Sequence, residues 1–143
     1  MKTLTPTQIP LDSRKWFVVD AKGQTLGRLC SKIATIISGK NRVDFSPHMD
    51  NGDYVVVINT KEIAVTGNKE EAKLYRTHSG FMWHLKEVKL SKLRAEKPNK
   101  ILEHAVSGML PKNRLRQGMM LRLKLVDGAT HGYESQNPTT ITL

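Results

Sequence analysis

The sequence predicts an α/β fold, in which helices cover a mainly parallel β-sheet, and three consecutive segments carry this prediction. Residues 16–20 form a short run of β-formers, an amphipathic helical pattern follows, and residues 54–58 form an apolar run without alternation. A run of this last kind is typical of a strand that is buried on both faces. Strand, helix and strand in this order indicate a parallel βαβ unit with a right-handed crossover.

The first strand and the first helix have the clearest boundaries. The strand at 16–20 is followed by a Lys-Gly turn signal at 22–23. Apolar residues then recur at positions i, i+3, i+4 and i+7 over 26–37, and Gly39 ends the helix. Cys30 lies on the apolar face of this helix, so we expect a buried and unreactive thiol.

Weaker patterns predict the segments that follow the second strand. Residues 63–65 are predicted as a further short strand, and residues 73–79 as an edge strand. Residues 85–97 have a weak helical pattern, which Pro98 ends.

The C-terminal third is predicted to contain one more helix and one more strand. Apolar residues at helical spacing cover 101–109 before a proline, and Asn113 is expected to cap a short turn through Arg116. Residues 121–126 are predicted as a strand that is apolar on one side and basic on the other. From His131 onward the chain is polar and is predicted to be loop.

Length and composition indicate one domain. The chain has 143 residues, of which we expect 1–14 to form a mobile N-terminal arm and 15–143 to form a single domain with a polar C-terminal tail. The single cysteine excludes an intramolecular disulfide and a cysteine-rich zinc site. No apolar run is long enough to span a bilayer and residues 1–10 do not resemble a signal peptide, so we expect a soluble protein of a reducing compartment with no membrane partner.

Positive charge is concentrated in the second half of the chain. The formal net charge is +10; residues 1–71 contain 10 basic and 8 acidic side chains, whereas residues 72–143 contain 13 and 5. All 13 of those basic residues lie between Lys73 and Lys124. We therefore expect a near-neutral scaffold half and a second half that presents a basic surface to a polyanion.

The sequence contains no recognisable motif for catalysis, nucleotide binding or metal binding. The Gly-Lys pair at 39–40 is followed by Asn41 and comes at the end of a helix, so it is not a Walker phosphate loop. Gly23 and Gly27 lack the spacing of a dinucleotide-binding loop. The five histidines form no close ligand pair. We expect no enzymatic activity, no cofactor, no metal and no small-molecule substrate.

Two basic clusters predict binding to nucleic acid. In the first, cations within 69–86 are mixed with aromatic and imidazole side chains, which suits contacts with phosphates and unpaired bases. Its aromatic residues, Tyr75, Phe81 and Trp83, could equally belong to the core. The second cluster, 112–117, follows a helix-breaking proline and could track a phosphate backbone without reading base identity.

Six strings of the sequence resemble signatures of the universal ribosomal protein uL13 family, known in bacteria as L13. They occur in the order and spacing of the family over about residues 12–138. They are WFVVDA at 16–21, LGRL at 26–29, GDYVVVIN at 52–59, IAVTGNK at 63–69, YRTHSG at 75–80 and AVSGMLPKN at 105–113.

The resemblance implies a three-layer α/β/α sandwich with a mainly parallel central sheet of about four strands. It also implies a structural protein of the large ribosomal subunit that binds large-subunit rRNA directly, early in assembly, beside neighbouring large-subunit ribosomal proteins. No cofactor or catalytic site belongs to such a protein. It would be cytoplasmic, although an organellar ribosome stays open, and a free regulatory protein that binds mRNA or DNA is the alternative use of the same charge.

Three segments depart from the family pattern. The glycine-rich stretch that usually follows the His-Ser/Thr-Gly motif is replaced by Phe-Met-Trp-His at 81–84. Residues 115–118 read Leu-Arg-Gln-Gly where Leu-Gly-Arg is expected, and residues 131–136 keep mainly His131 of the usual His-Pro-His motif. Large side chains at 81–84 leave the backbone geometry and the RNA contact of that loop open.

The RNA contacts implied by these clusters and by the resemblance fall into two groups. The residues expected to touch phosphates, or to lie beside those that do, are Lys40, Arg42, Lys69, Lys73, Arg76, Lys86, Lys112, Asn113, Arg114 and Arg116. Stacking or sugar contacts are expected from Tyr75, His78 and His131.

Overall fold

The computed structural model describes residues 7–141, so the first six residues of the expected arm lie outside the described residues. The strands are β1 (Trp16–Asp20), β2 (Tyr54–Ile58), β3 (Leu74–His78), β4 (Leu85–Lys89), β5 (Leu123–Leu125) and β6 (Thr139–Thr140). The α-helices are α1 (Leu26–Ser38), α2 (Lys69–Ala72), α3 (Leu90–Glu96), α4 (Asn99–Met109) and α5 (Leu115–Leu121). Short 3-10 helices cover Leu11–Ser13, Thr60–Glu62 and Glu134–Gln136.

The predicted βαβ unit forms the centre of the molecule. β1 and β2 pair in parallel along their whole length, and α1 connects them. α1 ends where Gly39 takes a φ of 78°, a left-handed conformation that glycine adopts without steric cost. Cys30 is buried on this helix as expected, and burial raises the pKa of its thiol to about 12.

The central sheet has four parallel strands in the order β5-β2-β1-β6, which confirms the predicted sheet and strand number. Two of its strands differ from the prediction. β5 covers only Leu123–Leu125 of the predicted 121–126, because α5 continues to Leu121. The C-terminal segment predicted to be loop supplies β6, whose β-branched Thr139 and Thr140 pair with the edge of β1.

The prediction of a strand at 63–65 is wrong. Only Ala64 makes a bridge, to Thr25, and its N–H donates to the carbonyl oxygen of Gln24 at 2.9 Å. β1 ends at Asp20, before the chain reaches the residues that lie beside 63–65. Residues 63–65 therefore lie beside the start of α1, where only Thr25 is available for pairing.

β3 and β4 form a separate antiparallel hairpin, which corrects two predictions. Residues 74–78 pair with 85–89 and not with an edge of the central sheet. The helix predicted over 85–97 begins only at Leu90, because residues 85–89 form β4. Pairing with a strand that lies earlier in the chain overrides the weak local helical pattern.

The core lies between the central sheet and the helices α1, α4 and α5. Val19 and Val57, which are opposite each other on β1 and β2, pack there with apolar side chains of α1 and α4 such as Ile33 and Leu102. The opposite sheet face buries Val18 and Val56.

Aromatic stacking closes that second face of the sheet. Trp16 stacks on Tyr54 with ring centroids 4.2 Å apart, and Tyr133, which precedes the last 3-10 helix, stacks on Trp16 at 5.6 Å. This arrangement confirms the three-layer α/β/α sandwich.

The described part of the expected arm contacts the body of the protein. Arg14 is only 6% exposed, and its guanidinium donates to the carbonyl oxygens of Asp50 at 2.8 Å and Gly52 at 3.2 Å. The Asn51 side chain accepts from the N–H of Ile9 and donates to the carbonyl oxygen of Thr7, both at 3.1 Å.

Candidate nucleic-acid interface

The end of α1 and one residue of the second basic cluster, Asn113, line a groove of about 510 Å³. Lys40 and Asn113 line it together with apolar side chains that include Phe45 and Met109. No local pattern predicts that Lys40 and Asn113 line the same groove, since about seventy residues separate them.

The shape of the 112–116 loop is fixed by its own hydrogen bonds. Asn113 donates its N–H to the carbonyl oxygen of Pro111 at 2.9 Å, and its side-chain oxygen accepts the N–H of Arg116 at 3.2 Å. This is the turn predicted from the sequence, and α5 continues from it. Lys112 and Arg114 are exposed and Arg116 is half-buried, so none of these cations belongs to the core.

The first basic cluster lies on α2 and on the β3–β4 hairpin. Lys69 begins α2, and Lys73 holds its ammonium 5.3 Å from the centre of the Tyr75 ring. Tyr75 is half-buried and its ring lies 5.6 Å from that of His104 on α4. Burial raises the pKa of the Tyr75 hydroxyl. The contact between the Tyr75 and His104 rings attaches the hairpin to the body of the protein.

The outer part of the hairpin carries Arg76, His78 and Lys86 on exposed positions. Arg76 is paired across the strands with Glu87 at 2.7 Å, so the positive charge of Arg76 is partly neutralised by the protein's own carboxylate. His78 accepts the N–H of Gly80 at its Nδ1, so Nε2 is the ring nitrogen that carries the proton in the neutral form.

Two predicted contact residues lie apart from both clusters. Arg42 makes ion pairs with Asp44 at 3.0 Å and Asp53 at 3.2 Å, and the hydrogen bond that Arg42 donates to Asp44 raises the pKa of Arg42. His131 is half-buried on the segment that leads to Tyr133, whose N–H it accepts at 3.4 Å. The structure therefore gives both residues a partner within the protein.

The structure separates the aromatic residues that the sequence left undecided. Tyr75 is half-buried, whereas Phe81 and Trp83 are exposed at the tip of the hairpin. The tip therefore adds no side chain to the core.

Sequence reasoning missed a buried cluster that holds the loop before β2. Arg122, assigned to the basic side of a strand, is 4% exposed and pairs with both carboxylate oxygens of Asp50. It also donates to the carbonyl oxygen of Ile37 at 3.0 Å. Burial and the neighbouring guanidinium of Arg122 lower the pKa of Arg14, which lies on the same carboxylate.

A second missed residue, Arg94 on α3, connects three segments. It pairs with both carboxylate oxygens of Glu70 on α2, at 2.9 and 3.0 Å, and donates to the carbonyl oxygens of Lys61 and Ile63. It positions α2, and with it Lys69, against the body. No sequence signal distinguishes this arginine from the surface cations around it.

Within residues 7–141, no three histidine, cysteine or acidic side chains come together in a way that could hold a metal ion. The same residues include no helix with the length and apolar character needed to cross a membrane.

The fold and these surfaces define the class of protein as a small basic α/β protein, in which cationic side chains lie on a loop and on a β-hairpin. The model of the family described as Ribosomal protein L13 matches residues 14–132, so the chain belongs to that family. The family consists of structural proteins and not of enzymes.

Bacterial relatives match the chain over nearly its full length. A protein of Synechocystis is 49% identical over 142 residues, which cover 99% of this chain and 93% of the relative. One of Clostridioides difficile is 48% identical over 128 residues, 90% of each protein, and one of Shewanella frigidimarina is 46% identical over the whole length of both. Each of these relatives is described as large ribosomal subunit protein uL13.

Proposed function

We propose that the protein is a structural component of the large ribosomal subunit, where it binds large-subunit rRNA directly and supports early assembly of the subunit. The observation that carries this proposal is the family match over 14–132, extended by relatives that align along nearly the whole chain. Its partners are rRNA and neighbouring large-subunit proteins, and its location is the cytoplasmic ribosome.

The charges of the described residues support direct contact with RNA phosphates. Seven of the predicted contact cations make no ion pair with any side chain within 7–141. They are Lys40, Lys69, Lys73, Lys86, Lys112, Arg114 and Arg116. Arg42 and Arg76 are paired with carboxylates and contribute less, because an anion must compete with the carboxylate for them.

Salt dependence measures how many of these cations act on phosphates. If about six phosphates are neutralised, the logarithm of the affinity falls with the logarithm of salt concentration at a slope of roughly −4 to −5. The measurement is titration of deproteinised large-subunit rRNA with the full chain at several salt concentrations. A slope near about −1 contradicts a multi-point electrostatic contact.

Sedimentation of a cell lysate tests the ribosomal assignment itself. We expect the protein to travel with the large subunit and to stay there after a high-salt wash. Recovery in the free fraction, bound to a particular mRNA or DNA sequence, would instead support the regulatory alternative.

Reconstitution of the subunit from purified components tests the role in early assembly. Omission of the protein from the first step should leave particles that lack later proteins, and addition at the last step should not restore them. Restoration by late addition contradicts an early role.

A further inference from the structure

We propose that Trp83, at the tip of the β3–β4 hairpin, stacks on an unpaired base of the bound RNA. This inference rests on the proposed function and assigns one contact of that interface to a single aromatic ring. The contact is separate from the phosphate contacts of the surrounding cations, because stacking does not depend on charge neutralisation.

The hairpin tip exposes three consecutive large apolar side chains. Trp83 is 98% exposed, Met82 76% and Phe81 69%. The other tryptophan, Trp16, is stacked between Tyr54 and Tyr133 on the central sheet. Contiguous exposed apolar side chains mark interaction sites more often than isolated ones do.

The backbone of the tip holds the indole outward. Trp83 has a φ of 64°, which is an outlying conformation for a bulky residue and is typical of positions that the surrounding structure over-determines. The N–H of His84 donates to the carbonyl oxygen of Phe81 at 3.3 Å, and the two side-chain rings meet edge to face at 5.4 Å. The Phe81 ring is thus in contact with the His84 ring, whereas the Trp83 ring is almost fully exposed.

Local hydrogen bonds make this tip a preformed turn. Gly80 has a φ of 89°, and its N–H donates to Nδ1 of His78 at 2.9 Å. A ring carried on an ordered turn requires less ordering of the backbone on binding than a ring on a disordered loop. Preorganisation of this kind favours a specific stacked contact.

The charge around the tip selects nucleic acid as the occupant. No acidic residue occurs from Thr77 to Lys86, and Lys86 carries no ion pair within the described residues. A cation near an exposed indole in the chain offers one group to a phosphate and another to a base, which is the usual composition of a site for single-stranded nucleic acid. An unpaired base on a phosphate backbone matches both features.

Substitution at position 83 tests the ring directly, with deproteinised large-subunit rRNA as the probe. Trp83→Ala should lower the affinity by about 5- to 150-fold, the range expected for one base–aromatic stack, and leave the salt slope unchanged. Trp83→Phe should retain most of the affinity because it keeps a flat ring. Trp83→Leu, which is apolar without a ring, should lose as much as Trp83→Ala.

Trp83→Gly separates a loss of contact from a loss of fold. Glycine adopts a φ of 64° without strain, so this variant should unfold at the wild-type temperature or higher while it binds rRNA as weakly as Trp83→Ala. Circular dichroism on heating provides the stability measurement.

Fluorescence provides an independent readout of the same ring. In Trp16→Phe, Trp83 is the sole tryptophan, and its emission should be quenched as rRNA is added. In Trp83→Phe, Trp16 is the sole tryptophan, and its emission should change little because its ring is half-buried and stacked on Tyr54 and Tyr133.

The outcomes distinguish this inference from the proposed function. Wild-type affinity in Trp83→Ala, or equal losses in Trp83→Phe and Trp83→Leu, overturns the base-stacking contact and leaves the ribosomal role intact. Unchanged rRNA binding combined with lost association of a neighbouring ribosomal protein also overturns it, and assigns the tip to a protein partner. Failure of the wild-type protein to bind rRNA contradicts the proposed function first.

Discussion

Two regions of this protein use positively charged side chains for opposite purposes. Around Asp50, the guanidinium groups of Arg14 and Arg122 are buried and hold the chain before β2 against α1 and α5. On the 112–116 loop and the β3–β4 hairpin, cations face solvent, and most have no acidic partner within the described residues. The net charge therefore overstates the number of cations that are available to bind a partner, since some cations stabilise the fold.

The largest loss of stability is expected from a substitution in the buried region around Asp50. A Cβ at position 52 would lie 1.6 Å from the carbonyl oxygen of Ile37 and 3.1 Å from the Arg122 guanidinium. Backbone cannot move aside as a flexible side chain can, so we expect Gly52→Ala to lower the free energy of unfolding by about 4 kcal/mol or more. Denaturant titration measures this loss.

Gly108 provides the matched control for that substitution. A Cβ there meets nothing within 4 Å, and the residue lies within α4. Gly108→Ala should therefore stabilise the protein by about 0.5–1 kcal/mol. A Gly52→Ala protein as stable as wild type would show that the close approach of residues 37 and 52 is not required.

The next largest effect is expected from the acidic centre of the buried cluster. Asp50→Asn leaves Arg122 buried without its counter-charge, and breaking a buried ion pair in this way costs about 3–5 kcal/mol. Glu96→Gln, which removes the exposed pair with Lys92, should change stability by less than about 0.5 kcal/mol. Equal effects in the two variants would remove the distinction between buried and exposed cations.

Substitutions in the exposed 112–116 loop should change the affinity for rRNA and leave the stability of the protein unchanged. Charge reversal of Arg114 and Arg116 removes two phosphate contacts, each of which contributes about 0.7–0.9 log units at about 0.1 M salt, so rRNA affinity should fall by at least about 25-fold. Melting followed by circular dichroism should match wild type, because neither side chain is in the core.

A control with the same change in net charge shows whether position matters. Arg28 and Lys32 are exposed on α1, outside both clusters, and the double charge reversal there should weaken rRNA binding much less. Equal losses from the two double variants would mean that overall charge, and not a defined surface, determines affinity.

Local patterns in the sequence were sufficient for the βαβ unit and for α4, because the periodicity of apolar residues reports burial directly. They were insufficient for β4 and β6, whose pairing partners lie elsewhere in the chain. The same limit applies to the candidate interface. The partner that buries Arg122 is 72 residues away, and the carboxylate that pairs with Arg76 is on the opposite strand of the hairpin. Composition locates the charge, whereas non-local contacts decide which charges remain available.

The ion pair between Arg76 and Glu87 tests whether a non-local contact limits the availability of a cation, and we expect its effect to be the smallest. Arg76 and Glu87 form an exposed pair across the hairpin, with side chains 65% and 41% exposed. Such a pair contributes little to stability, so Glu87→Gln should change the free energy of unfolding by less than about 1 kcal/mol. The substitution also releases the Arg76 guanidinium for a phosphate. We expect rRNA affinity to rise by up to about 5-fold and the salt slope to steepen by up to about one unit. The double variant Arg76→Gln/Glu87→Gln should lose this gain, because it has no cation to release. An unchanged slope in Glu87→Gln would show that this face of the hairpin does not approach the RNA backbone, and that the contribution of the hairpin to binding comes from its tip and from Lys86.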